Sequence, residues 1–352
     1  MTIRWGILGC GDVCEVKSGP AFQNATGSEL VAVMRRDGAK ARDFAERHAV
    51  PAWYDDADGL LADPRVDAVY VAAPPGSHAE LALRACAARK PTYVEKPMAR
   101  NAAECAQMVD AFARAGVPLF VAYYRRALPR FVKAKALLDA GALGTITEVS
   151  CVFANDGQLD LNAADPPWRV RAAEAGAGLF LDLASHSLDI LDFFFGPLVD
   201  VSGQAANLAS SCDVEDRVLM NFHTAGGALG TASWNFASSV REDLIAIHGT
   251  AGTLRLTTFG NDPVVLETGA GPESFYLPNP RHIQQPLVQT IVDELHGNGT
   301  CPSSGTSGAR TSAVMDRVLE SYYGSRESGF WLHPERWPGR RQRTLDEPPA
   351  GR

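Results

Sequence analysis

Residues 3–14 read Ile3-Arg4-Trp5-Gly6-Ile7-Leu8-Gly9-Cys10-Gly11-Asp12-Val13-Cys14. A short apolar run leads directly into a Gly-x-Gly turn. In a dinucleotide-binding βα turn the first glycine allows a sharp reversal, and the second lets backbone amides approach a pyrophosphate at a helix N-terminus. Cys14 occupies the third position of the fingerprint, where a small residue is needed for helix-on-strand packing. A bare Gly-x-Gly is also compatible with an ordinary tight turn. Placed immediately after an apolar strand, it reads as the opening of a Rossmann domain.

Working outward, apolar runs near Ile3–Leu8, Leu30–Met34, Val69–Ala73, Thr92–Val94 and Leu119–Ala122 alternate with helical patterns, as a parallel sheet of βαβ units requires. Ser77–Arg89 and Asn101–Ala115 are alanine-rich crossover helices, with Ser77 and Asn101 as candidate caps. The character changes after Tyr123. A helix over Arg130–Gly141, a strand over Thr145–Phe153 and a helix around Leu181–Phe195 come next. They are followed by β-prone runs at Val199–Ala205, Arg217–His223, Leu229–Phe236, Leu244–His248 and Thr253–Thr257. Late helices are expected at Gln285–His296 and Ala309–Tyr323. The expected fold class is α/β: an N-terminal Rossmann domain with a doubly wound parallel sheet over 1–122, then a C-terminal α+β domain with a large, mainly antiparallel open sheet over 123–336. A Pro- and Arg-rich tail, 337–352, reads as disordered.

The 352 residues suit about two domains. Apolar residues at 46% and charged residues at 21% are ordinary for a globular protein. A net charge of -8 argues against nucleic acid and favours a small-molecule partner. Seven scattered cysteines without a CxxC pair, no signal-peptide pattern and no run of about 18 uninterrupted apolar residues point to a cytoplasmic, non-membrane protein.

Three further stretches carry chemistry. The second strand ends in Val33-Met34-Arg35-Arg36-Asp37, where an NAD-preferring site would place an acid on the ribose. Arg35 and Arg36 instead suit a 2'-phosphate and the adenine face, which favours NADP over NAD; alternatively they are solvated, with Asp37 capping the next helix. Glu95-Lys96-Pro97 closes the fourth apolar strand at a carboxyl edge, where open α/β sheets bind ligands. On an α-helix, Asp182, His186 and Asp189 share one face. This is either a buried histidine satisfied by carboxylates or an acid/base site, and without a fourth ligand a metal site is not expected.

The series of glycine turn, Val71-Ala72-Ala73-Pro74-Pro75-Gly76-Ser77-His78, Glu95-Lys96-Pro97 and Asp182-x-x-x-His186 resembles the Gfo/Idh/MocA oxidoreductase family. The likeness continues through Tyr123–Pro129, Gly141–Gly144, Val214–Asp216 and the Gly249-Thr250-Ala251-Gly252 turn, and so spans nearly the whole chain. Cys14 departs from the usual Gly or Ala, and Ala184 from the Gly many members place between the Asp and His. The resemblance implies that Lys96, Asp182 and His186 are catalytic. It implies cofactor contacts from Gly9, Gly11, Asp12, Val13, Pro74, His78, Glu95 and Lys96, alongside Arg35 and Arg36. Tyr124, Arg126, Trp168 and Arg169 are candidates for the substrate wall.

The expected reaction is hydride transfer between nicotinamide and a secondary alcohol or ketone carbon of a sugar, cyclitol or dihydrodiol. His186 would act as acid/base and Lys96 on the same substrate oxygen, 90 residues away in sequence. A non-catalytic NADP-binding regulator, or an imine or aldehyde reductase on the same fold, is the alternative. One helix-covered face of an open sheet leaves the other exposed, so a homodimer or homotetramer is expected.

Overall fold

A computed structural model describes residues 2–155, 161, 165–327 and 329–340. They form two compact units. The first comprises residues 1–128 and 279–309, the second 129–278 and 310 onward.

In the first unit, β1 (Ile3–Leu8), β2 (Ser28–Met34), β3 (Ala52–Tyr54), β4 (Ala68–Val71), β5 (Thr92–Val94) and β6 (Leu119–Val121) make a six-stranded sheet in the order β3-β2-β1-β4-β5-β6. All five pairings are parallel. This is the doubly wound order, and its direction of travel reverses between β1 and β4, where such sheets bind ligands. The intervening helices are α1 (Gly19–Asn24), α2 (Gly38–Arg47), α3 (Ala57–Ala62), α4 (His78–Ala87) and α5 (Ala102–Ala115).

Alternation along each strand gives the sheet two different faces. Trp5, Tyr70 and Tyr93 join Phe22 in an aromatic layer with ring centroids 4.8–6.3 Å apart. Leu8, Val69, Val71 and Val94 meet Leu60, Ala82, Met108 and Phe112 on the other side. Gly6 leaves room there for Leu60, whose Cδ2 would stand 2.7 Å from a Cβ and would have to shift.

Asn101 caps α5 as expected, its side chain accepting from Glu104 N–H. Ser77 does not cap α4. It lies at the end of a 3-10 turn, Pro75–Ser77, whose backbone leads directly into the helix. The three-residue edge strand β3 is too short to show a period and was absent from the sequence reading.

The chain returns to this unit after residue 278, whereas the sequence pattern suggests a single cut near Tyr123. The returning α9 (Gln285–Leu295) buries Leu287, Val288, Ile291 and Val292 and lies against α1. Ser303 then bonds with the β6 edge in both directions, its carbonyl accepting from Val121 N–H and its hydroxyl donating to Val121 O.

In the second unit, helices α6 (Pro129–Asp139), α7 (Ala172–Ala175), α8 (Ser185–Phe195) and most of α10 (Gly305–Tyr323) accompany an eight-stranded sheet. Its strands are β7 (Ile146–Ala154), β8 (Val199–Ala206), β9 (Arg217–His223), β10 (Leu229–Asn235), β11 (Glu242–Gly249), β12 (Gly252–Leu256), β13 (Val264–Thr268) and β14 (Gly271–Phe275). The order is β14-β13-β12-β11-β7-β10-β9-β8, antiparallel except between β7 and β10. The β13–β14 hairpin lies beyond the β-prone runs expected from the sequence; β14 is an exposed edge containing Pro272 and Glu273, a composition that resembles a loop.

The supposed tail is ordered at its start. Trp337 is buried among Tyr322, Tyr323 and Phe330 and donates its indole N–H to Phe330 O, because an aromatic side chain of that size gains more from this apolar niche than from water. Residues 341–352 lie outside the described residues. Among the described residues, no helix is long and apolar enough to cross a membrane.

Candidate active site

The glycine turn sits at the switch point of the six-stranded sheet. Gly9 adopts φ +92°, and a Cβ there would come within 2.8 Å of Ala73 N, so the turn packs against the end of β4. The side of Gly11 is open: a Cβ would find only Gly9 O, at 3.9 Å. That opening is the space a pyrophosphate needs to meet the backbone, so the turn fits a dinucleotide. Asp12 is exposed, Val13 is half-buried, and Pro74 is exposed at the end of β4. Cys14 is fully buried, and burial pushes its thiol up to about 12. It opens a π-helical turn over Cys14–Ser18.

At the end of β2, Arg35 donates from its guanidinium to Cys10 O at 3.4 Å, and Arg36 is exposed. Asp37 is occupied as the cap of α2, its carboxylate accepting Lys40 N–H at 3.2 Å and lying 3.4 Å from Lys40 Nζ. The backbone hydrogen bond from Lys40 holds that carboxyl below its ordinary range.

Lys96 is half-buried at the carboxyl end of β5, and the Lys96–Pro97 bond is cis. Its neighbours in the motif face inward. Glu95 is buried; its Oε1 accepts Tyr70 OH at 2.5 Å and Gln284 Nε2 at 2.7 Å, and its Oε2 accepts Lys96 N–H at 3.0 Å. His78 is also fully buried, with its ring nitrogens 2.9 Å from Pro97 O and 2.6 Å from Ala73 O. Burial pushes this imidazole below its ordinary value, against the pull of those carbonyls and of Glu95. Glu95 and His78, expected to touch a cofactor, thus spend these polar atoms on the frame behind Lys96. Tyr124 and Arg126, expected in the substrate wall, are buried, and Arg126 donates to Pro302 O at 3.1 Å.

In the second unit, Trp168, Arg169 and Asp182 come together. The guanidinium of Arg169 lies 4.6 Å from the Trp168 ring centroid, and its Nε is 3.3 Å from Asp182 Oδ2. Phe180–Ala184 form a π-helical turn that feeds α8, so the simple helical face expected for Asp182, His186 and Asp189 is replaced by a wider turn. Arg169 lies beside Asp182, and Asp189 accepts from Thr311 Oγ1 at 3.4 Å. Asp192, one turn farther on, takes both Nε and Nη2 of Arg310 at 2.8 Å.

His186 is buried, with its ring nearly perpendicular to Phe259 at 5.8 Å. The loop carrying Phe259 is held from two directions. Asp243 accepts the amides of Thr258, Phe259 and Gly260, and the Arg130 guanidinium donates to the carbonyls of Thr257 and Gly260. Phe259, Arg310 and Thr311 escaped the sequence reading because nothing local to them distinguishes a packing residue from one that holds a helix. Among the described residues, no group of three or more His, Cys, Asp and Glu is arranged to hold a metal ion.

A doubly wound sheet with a glycine turn at its switch point, joined to a mainly antiparallel sheet domain, defines a nucleotide-binding oxidoreductase fold. Residues 3–123 match the model of the oxidoreductase family with an NAD-binding Rossmann fold, and residues 131–255 match the GFO/IDH/MocA C-terminal domain. The chain is 36% identical to Oxidoreductase P35 of Formosa agariphila, over 89% of its own length and 97% of that protein's. It therefore belongs to the Gfo/Idh/MocA oxidoreductase family. It is also 27% identical to trans-1,2-dihydrobenzene-1,2-diol dehydrogenase of Danio rerio, over 80% and 82% of the two chains. A levoglucosan dehydrogenase, solved with NADH and levoglucosan, superposes with a TM-score of 0.83 at 22% identity, covering 91% of this chain and 97% of the other.

Proposed function

We propose that this oxidoreductase is an NADP-dependent dehydrogenase or reductase acting on a secondary alcohol or ketone of a sugar, cyclitol or dihydrodiol-like compound. The observation that carries the cofactor preference is the end of β2. Its one adjacent acid, Asp37, is committed to capping α2, leaving Arg35 and Arg36 for a 2'-phosphate. The turn at Gly9, Gly11, Asp12 and Val13, with Pro74 beside it, would hold the pyrophosphate through backbone amides.

When bound, the nicotinamide supplies or accepts the hydride. His186 would take the proton from the substrate hydroxyl, or return it in the reverse direction, and Lys96 would donate a hydrogen bond to a substrate oxygen as charge develops there. Asp182 and Arg169 form a charged pair beside Trp168, and a polyhydroxylated ring suits such a wall of polar forks and an aromatic face. The activity named for the dihydrodiol dehydrogenase supports this substrate class.

The test is a screen of polyols, sugars including levoglucosan, dihydrodiols and imines, each with NADP, NADPH, NAD and NADH, following nicotinamide absorbance. Turnover of an alcohol or ketone with NADP(H) preferred is expected. Turnover of imines alone would replace the substrate class, and tight NADP binding without turnover of any class would favour a regulatory protein.

We also propose self-association as a homodimer or homotetramer. Along β9 and β10 one face is buried, while on the other Leu219 and Leu229 stand 44% and 61% exposed among Asn221, Thr231 and Ser233. Light scattering showing only the 37.7 kDa chain at micromolar concentration would refute it.

A further inference from the structure

We infer that Gln284 is a positioning residue for Lys96, acting through the buried carboxylate of Glu95. This rests on the reading of Lys96 as catalytic. Gln284 is 189 positions from Glu95 and returns to the first unit just before α9, where it is 1% exposed. Its amide is used at both ends. Nε2 donates to Glu95 Oε1 at 2.7 Å, and Oε1 accepts Tyr93 OH at 3.0 Å. Tyr70 OH donates to the same Glu95 oxygen, leaving Oε2 to accept the backbone N–H of Lys96.

A buried carboxylate is tolerated only when its oxygens are satisfied, and a chain of satisfied groups fixes a geometry that packing alone would leave loose. Removing the Gln284 donor leaves Glu95 Oε1 on Tyr70 alone and strands the Tyr93 hydroxyl. The carboxylate is then free to reorient, taking with it the hydrogen bond that sets the Lys96 backbone. Gln284 reaches the reacting atoms only through Glu95 and Lys96, so its effect belongs in kcat and in its pH dependence rather than in cofactor affinity.

The titratable groups around Glu95 keep the background quiet. Burial and the Glu95 charge push the phenols of Tyr70 and Tyr93 well above their ordinary value. Burial pushes the thiol of Cys14 to about 12 and that of Cys301, beside Tyr93, to about 11, and it pushes His78 down. None of these changes charge between about pH 7 and about pH 9, given ordinary values of about 6.5 for His and about 8.5 for Cys shifted outward.

The discriminating variant is Gln284→Glu. Two carboxyls at hydrogen-bond distance cannot both ionise cheaply, so the pair retains one proton and that proton's pKa rises. With the proton in place, the side chain of Gln284→Glu still donates to Glu95 and still accepts from Tyr93. Once it leaves, two anions face one another. The folded pKa of the pair lies above the unfolded value, so stability is retained at low pH and lost as pH rises through the folded pKa.

Expected for Gln284→Glu is kcat within about threefold of the parent near pH 7 and at least about tenfold below it near pH 9, with KM for NADP nearly unchanged and the loss reversed on returning to the lower pH. Its melting temperature should also diverge from the parent's as pH rises. Gln284→Met, which cannot donate, should show a kcat lowered by roughly five- to fiftyfold at every pH. Substrate for these assays is the compound turned over fastest in the screen above, and Lys96→Ala runs alongside.

If the melting curves of Gln284→Glu diverge with pH but kcat tracks the parent, the network is structural only and the inference is wrong. A kcat profile of Gln284→Glu that superposes on the parent's, with melting curves that do so as well, refutes the network itself. If Lys96→Ala keeps parental turnover, the assignment of Lys96 fails, whatever the melting curves of Gln284→Glu report about the network.

Discussion

The two residues proposed to act on the substrate are held in different ways. Lys96 stands on a hydrogen-bonded bed, in which Tyr70 and Gln284 satisfy Glu95, Tyr93 donates to Gln284, and His78 lies between the carbonyls of Ala73 and Pro97. His186 stands on a packed bed. Phe259 faces its ring, and α8 is tied to α10 through Asp189–Thr311 and Asp192–Arg310. A polar bed is unforgiving, since losing one partner exposes the desolvation cost of the other. A packed bed tolerates a change of shape if the volume survives. The difference implies that conservative substitutions should be costly around Lys96 and graded around His186.

The largest effects test whether both residues belong to the chemistry at all. His186→Ala and Lys96→Ala should each lower turnover by about two to four orders of magnitude, with NADP affinity in His186→Ala largely intact by fluorescence titration. Folded His186→Ala protein with near-parental kcat from about pH 6 to about pH 9 would make the histidine structural. The double variant should fall well short of the product of the single losses.

Next in size is cofactor choice on the first unit. Removing both guanidinium groups, Arg35→Ala with Arg36→Ala, should weaken NADP binding by roughly ten- to a hundredfold and leave NAD nearly unchanged in a calorimetric titration. Parallel losses for both cofactors would contradict the phosphate clamp.

The packed bed makes a graded prediction. Phe259→Leu should reduce kcat by roughly three- to tenfold, and Phe259→Tyr by less. Asp243→Asn, which weakens the hold on the loop, should act through the same ring, so that the Asp243→Asn, Phe259→Leu double variant is no worse than Phe259→Leu alone. Multiplying losses would separate the loop from the ring.

Buried carboxylates sharpen the contrast further. Glu215 accepts Gly178 N–H and Tyr323 OH, yet burial still pushes its pKa up from an ordinary 4.5. The folded protein therefore binds the proton more tightly than the unfolded chain, and this contribution to stability, present below about pH 4.5, is lost as pH rises through the raised pKa. Glu215→Gln removes the titration, so its melting temperature should gain on the parent's as pH climbs above about 4.5. A gap that stays constant with pH would show that Glu215 does not titrate in that window.

The smallest test concerns local structure. Asn101→Ala should cost about 1 kcal/mol in denaturant unfolding, the usual worth of an N-cap, whereas Ser77→Ala should stay within about 0.5 kcal/mol because Ser77 makes no cap bond. Equal losses would mean that the cap geometry at Asn101 contributes little.

The same contrast explains what the sequence disclosed. β1, β5 and β9 have the limits read from their apolar runs; β1 and β5 end in fully buried positions, and β9 alternates buried and exposed ones. Glu95-Lys96-Pro97 was legible because it ends such a run. Gln284 and Phe259 were not, since their meaning comes from partners 189 and 73 positions away. The π-helical turn at Phe180–Ala184 also left no trace, because a period of 3.6 residues is assumed in any reading of a helical face. His78 and Glu95 were expected to contact the cofactor, and their bonds to Ala73, Pro97, Tyr70 and Gln284 were not legible, because a motif gives spacing along the chain and not the direction of a side chain.

All seven cysteines are buried as thiols, and none is bridged. Cys10, Cys14, Cys86, Cys105 and Cys301 fall in the first unit, Cys151 and Cys212 in the second. A thiol reagent can reach them only when the surrounding structure opens, so the protein carries a built-in clock for its own breathing. Under native conditions the order in which these sulfurs are alkylated, followed peptide by peptide, would rank the two units by the free energy of opening, with no label introduced and no residue changed.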